Sequence, residues 1–65
     1  MRKIYMVTID MDGSRKRYFA PNKKTANAVA RMYGFDINPE CGVIIMQIDK
    51  DFWEYLGYPA IIASV

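Results

Sequence analysis

The chain has 65 residues, with nine Lys or Arg, seven Asp or Glu and no His, for a net charge of +2. A single cysteine excludes an internal disulfide, the lack of histidine excludes a Cys/His zinc set, and a 52% apolar share excludes a disordered tail. So short a chain makes one domain, residues 1–65, of marginal stability. The charge is polarised. Residues 1–34 carry eight of the nine cations against Asp10 and Asp12, a net of +6, while residues 35–65 carry Lys50 against Asp36, Glu40, Asp49, Asp51 and Glu54, a net of −4. Such asymmetry bears on partners more than on fold. Thr8 and Asp10 interrupt the first apolar run too early for a signal peptide or a membrane span. With the free thiol of Cys41, this leads us to expect a cytoplasmic protein with no membrane partner.

Residues 3–11 alternate Tyr5, Val7 and Ile9 with Ile4, Met6 and Thr8, a period of two rich in β-formers. Asp12-Gly13 is a preferred type I′ turn, since both central residues need positive φ. That turn predicts a hairpin in which Met11 faces Ser14, Asp10 faces Arg15, Thr8 faces Arg17, Val7 faces Tyr18 and Met6 faces Phe19. Pro21 ends the second strand and Asn22 is placed to cap a helix. Ala26, Val29, Ala30 and Tyr33 form its apolar stripe, with Lys24, Asn27 and Arg31 opposite. Gly34 is expected to end it in the left-handed conformation.

Residues 36–42 are turn chemistry, and residues 43–48 read as a buried strand. Asp51-Phe52-Trp53-Glu54 fits a D-x-x-E capping box, predicting a short helix stopped by Gly57 and Pro59. Residues 60–65 are apolar and β-prone, a fourth strand or an edge segment. The fold class is therefore α+β: a small three- to four-stranded sheet, β-β-α-β plus a short C-terminal helix and tail, with one long helix on one face. A right-handed crossover gives the strand order 2-1-3. Tyr5, Val7, Ile9, Tyr18, Ala20, Ile44, Met46 and Ile48 are expected to face the helix. Ile4, Met6, Thr8, Arg15, Arg17, Phe19, Val43, Ile45 and Gln47 are expected on the other face, under the C-terminal aromatics or a second protomer in a homodimer.

Two carboxylate motifs invite a catalytic reading. Asp10-Met-Asp-Gly-Ser resembles the D-x-D-G-[ST] nucleophile loop of haloacid-dehalogenase-type phosphatases, a family whose large doubly wound domain has no room in this chain. Asp10 and Asp12, with Asp49 and Asp51, suggest magnesium ligands, and the opening Arg-Lys-Ile-Tyr-Met-Val-Thr-Ile-Asp with Met-Tyr-Gly-Phe is similar to the small ferredoxin-like nucleases of CRISPR systems. A metal site needs the ligands to converge, and the expected topology sends the two pairs to opposite edges. Cys41 and Ser14 have no histidine to serve as base. The chain is therefore expected to be non-enzymatic, with no cofactor and no metal.

The basic hairpin is the leading lead. Arg15 and Arg17 share one face and Lys16 takes the other, so a two-stranded ribbon can present cations to phosphates or guanine edges. Lys23 and Lys24 at a helix N-terminus oppose its dipole, which suits an anion bound there. Charged edge strands also guard against aggregation, and that plain reading competes. Residues 10–30, with their acidic D-x-x-G turn, basic strand, aromatic and K-K-x-A-x-A helix start, resemble the arm-type DNA-binding domains of tyrosine recombinases. The resemblance implies a sheet entering the major groove, with Arg15, Lys16 and Arg17 contacting the groove and Lys23 and Lys24 near phosphates. The expected nucleic-acid-binding residues are thus Arg15, Lys16, Arg17, Lys23, Lys24 and Arg31. The alternative is a protein-binding inhibitor or adaptor of mobile-element type. It would engage a host protein through Phe52, Trp53, Tyr55 and Tyr58, or through a sheet edge.

Overall fold

The computed structural model describes residues 3–57 and 60–63 and contains a three-stranded antiparallel sheet with helices attached, an α+β arrangement. Strand β1 (Lys3–Met11) lies between β2 (Ser14–Ala20) and β3 (Gly42–Asp49), in the order β2-β1-β3. Helix α1 (Lys23–Ala30) continues into a wider π-helical turn (Arg31–Phe35), and α2 (Lys50–Leu56) follows β3 directly.

The hairpin forms as its turn chemistry requires. Asp12 and Gly13 have φ of 49° and 80°, the left-handed values of a type I′ turn. The pairing runs Met11↔Ser14, Asp10↔Arg15, Thr8↔Arg17, Val7↔Tyr18 and Met6↔Phe19. Ser14 Oγ donates to the Met11 carbonyl at 3.0 Å, closing the turn. Beyond Pro21, Asn22 caps α1, its Oδ1 accepting from the Thr25 amide at 2.8 Å. This satisfies one of the amides that a helix start leaves unpaired.

Val7, Ile9 and Ala20 from the sheet meet Ala26, Val29 and Ala30 from α1, with Cys41 closing one end. Tyr18 and Tyr33 stack beside them with ring centroids 4.9 Å apart. Each large apolar side chain buried in such a core contributes about 1.5–3 kcal/mol relative to exposure. The small residues on α1 allow the helix to sit close to the sheet.

Gly34 corrects one expectation. Its φ is not in the left-handed region, and it does not end the helix by that device. It is buried, and a Cβ there would lie 3.2 Å from Cys41 Sγ and 3.4 Å from Ile9. Close packing, not backbone handedness, requires glycine. The wide turn around it is marked by the Asp36 amide donating to the Arg31 carbonyl at 2.7 Å, five residues back.

A second correction concerns β3. Its ladder pairs Ile9 with Val43, Val7 with Ile45 and Tyr5 with Gln47, while Thr8 meets Ile44, Met6 meets Met46 and Ile4 meets Ile48. Directly paired residues share a face, so Val43, Ile45 and Gln47 face α1, and Ile44, Met46 and Ile48 take the other side. Every side chain of β3 is turned over relative to the expectation. The run Val-Ile-Ile-Met is apolar at both parities, so hydrophobicity alone cannot choose between the two registers.

The second face is covered at one end only. Ile4 and Phe19 are buried there, and the Trp53 ring of α2 lies 6.5 Å from that of Phe19. The α2 start differs from the capping box: Asp49 is the N-cap, without a side-chain hydrogen bond to the helix, and its carboxylate pairs with Lys3 Nζ at 2.8 Å. Gly57, at φ 69°, ends α2 in the left-handed conformation. Pro59, the other expected stop, lies outside the described residues. Ile61 bridges Phe19 in parallel, and the Ile62 amide donates to the Phe19 carbonyl at 2.6 Å. The described part of the tail is thus an edge segment on β2. No helix among the described residues is long and apolar enough to cross a membrane.

Candidate nucleic-acid interface

Because β2 alternates from Ser14, Arg15 and Arg17 fall on the sheet face opposite α1, beside Asp10 and Thr8 of β1. Both arginines are exposed. Arg15 is held by Asp10, with Nη2 donating to Oδ2 at 3.2 Å. Both partners are more than half exposed, so this pair contributes well under about 1 kcal/mol to stability. The Asp10 carboxylate lowers the local positive charge around Arg15.

Lys16 projects to the α1 side, opposite Ile9, and lines a cleft of about 240 Å³ with Tyr18, Tyr33 and Asp12. The hairpin therefore carries two guanidinium groups on one face and an ammonium on the other. The remaining expected residues are not brought beside them. Lys23 and Lys24 follow the far end of β2, six residues or more from Arg17 in the chain. An extended strand advances about 3.3 Å per residue, so they lie at the other end of the sheet. Arg31 sits where α1 meets its π turn and lines a separate groove with Phe35, Val43 and Ile45.

Ile44 and Met46, which the sequence placed under α1, are 64% and 48% exposed on the same face as Arg15 and Arg17. Trp53 reaches the Phe19 end of that face and leaves these two residues uncovered. The uncovered half thus combines two cations, the Asp10 carboxylate paired with one of them, a hydroxyl and two apolar side chains. The signal that finds Ile44 and Met46 is ladder parity: Asp10 opposite Gly42 puts even-numbered residues of both strands on one face.

The carboxylates do not converge. Asp10 pairs with Gly42 and Asp49 with Lys3, at opposite ends of the β1–β3 ladder. Seven residue steps of β1 separate Asp10 from Lys3, or roughly 24 Å at the rise of an antiparallel strand. No cluster of three or more His, Cys, Asp or Glu that could hold a metal occurs among the described residues.

Of the aromatics expected to bind protein, Trp53 packs toward Phe19, whereas Phe52 and Tyr55 point outward at 53% and 86% exposure. Tyr58 lies outside the described residues. No protein-family model, curated protein or solved structure matches this chain.

Proposed function

We propose that this protein acts by binding rather than by catalysis, and that it holds a nucleic acid, DNA foremost, through its β1–β2 hairpin. The supporting observation is the pair Arg15 and Arg17, both exposed on the half of the sheet face that α2 leaves open. Flat strands with guanidinium groups on one side and an ammonium on the other suit a ribbon entering a groove, where each wall carries phosphates. Thr8 and the uncovered Ile44 and Met46 would meet sugar or base surface. The arm-type resemblance of residues 10–30 supports the same mode of contact. Lys23, Lys24 and Arg31 would act at longer range, through the general positive field of the first half of the chain.

The test is fluorescence anisotropy of labelled duplex and single-stranded DNA at low and near-physiological salt. Three phosphate contacts give a log–log salt slope of about −2 to −3. An Arg15→Glu/Arg17→Glu variant, checked for unchanged circular dichroism, is expected to lose binding. A wild-type chain that binds neither DNA at low salt refutes the proposal.

A second reading is favoured by α2. Phe52, Tyr55 and Leu56 are all substantially exposed, a composition that suits a protein-binding surface. Partner capture that is insensitive to salt and lost in Phe52→Ala/Tyr55→Ala would move the assignment there.

A further inference from the structure

The two edges of the sheet are finished differently. The β2 edge carries Arg15, Lys16 and Arg17 and is bridged at Phe19 by Ile61 of the tail, both of which block pairing with a foreign strand. The β3 edge has neither protection. Among the described residues no strand pairs with its outer side, and residues 42–48, Gly-Val-Ile-Ile-Met-Gln-Ile, contain no charge and no proline. Beside it on the α1 face lies a mostly apolar groove of about 480 Å³, lined by Ala30, Phe35, Val43 and Ile45 together with Asn27 and Arg31. On the other face stand the exposed Ile44 and Met46. A bare, apolar edge flanked by largely apolar surface on both sides is a template for strand addition.

We infer that β3 pairs antiparallel with β3 of a second copy of this chain, about a two-fold axis through Ile45, making a six-stranded sheet of order β2-β1-β3-β3-β1-β2. The strand's own sequence selects this partner and this register. A two-fold normal to the sheet keeps each residue on its face, so only registers that match parity are open. With Ile45 facing its own copy, Ile44 meets Met46 of the second copy and Met46 meets Ile44, which joins the two exposed apolar patches side by side on one face and buries the flanks that touch. Val43 meets Gln47 beside the groove, and Gly42 meets Ile48. One register further on would set the Asp49 carboxylate against Val43. One register back would pair only residues 42–46 of the strand. In the Ile45-centred register Glu40, in the turn before β3, and Lys50, at the start of the second copy's α2, lie beyond the same end of the paired segment. Neither Glu40 nor Lys50 has an ion pair within the chain among the described residues.

Seven paired residues span about 24 Å of strand. With their flanking side chains they fall below the roughly 800 Å² per partner of a stable standard interface. The dimer is therefore weak and reversible. It places both basic hairpins on one face of a continuous sheet, at its two outer margins. The inference does not depend on what those hairpins bind.

Sedimentation of the full chain without nucleic acid, from about 1 μM to several hundred micromolar, reads the proposal over the weak-interface range. A reversible monomer–dimer equilibrium is expected. Ile44→Lys, at an exposed position, should stay folded by circular dichroism and remain monomeric throughout. Ile44→Cys and Met46→Cys proteins, mixed and oxidised, should form a 44–46 disulfide, located by mass spectrometry to exclude the buried Cys41, with little 44–44 or 46–46 product. A chain that is monomeric at every concentration overturns the inference, as does a dimer that survives Ile44→Lys. Preferential 44–44 or 46–46 linkage overturns the register.

Discussion

Replacing Gly34 with Ala separates two physical reasons for a glycine at the end of α1. The backbone there is not left-handed, so the alanine backbone is unstrained and brings a helix-propensity gain of up to about 1 kcal/mol. Its Cβ, however, would sit 3.2 Å from Cys41 Sγ and 3.4 Å from two Ile9 carbons. Both neighbours are buried, at 8% and 2% exposure, and have little freedom to retreat. Overpacking of this kind costs about 1–3 kcal/mol; the middle of that range less a gain of about 0.5 kcal/mol at a helix end gives an expected net loss of about 1–2 kcal/mol. A domain of this length has about 3–10 kcal/mol in all. In urea, with a slope near 1 kcal/mol/M, the midpoint should fall by about 1–2 M. Trp53, the single tryptophan, reports the transition by fluorescence. Cys41→Ala removes the sulfur that the new methyl meets, so Gly34→Ala/Cys41→Ala should be more stable than the sum of the single losses by about 1 kcal/mol. Strict additivity, or a Gly34→Ala protein as stable as wild type, would refute the packing argument. Additivity with a large Gly34→Ala loss would return the glycine to a backbone role.

Three further outcomes follow from the same geometry. Asn22→Ala should lower stability by about 1 kcal/mol in the same urea assay, whereas Asn22→Asp should keep most of it, because a carboxylate oxygen can take the Thr25 amide. Phe19→Ala removes a fully buried ring; at a cost of about 3–5 kcal/mol, it should abolish or nearly abolish the cooperative transition and shift Trp53 emission to the red. Asp10→Asn releases Arg15 from its exposed ion pair and removes a negative charge from the open face. It should strengthen DNA binding a few-fold at low salt, with stability changed by less than about 1 kcal/mol, and weaker binding would argue against contact through that face.

Local chemistry decided the first half of the fold. Asp12-Gly13 dictates a two-residue turn, which sets every pair from Met11↔Ser14 to Met6↔Phe19, and this places Arg15 and Arg17 on one face with Lys16 on the other. Asn22 after Pro21 sets the helix start, and the alanine-rich stripe sets which side of α1 is buried. These are short-range constraints, carried by residues adjacent in the chain. The β3 side of the sheet was decided at long range. Its residues are apolar on both faces, and only the docked register with β1 determined that Val43 and Ile45 go under α1 while Ile44 and Met46 stay exposed. The reason for Gly34 was equally remote, since Cys41 and Ile9 approach it only in the packed structure. So too was the separation of Lys23, Lys24 and Arg31 from the hairpin cations. Charge count along a sequence measures how many cations are near one another in the chain, and the three-dimensional path decides which of them can touch one partner.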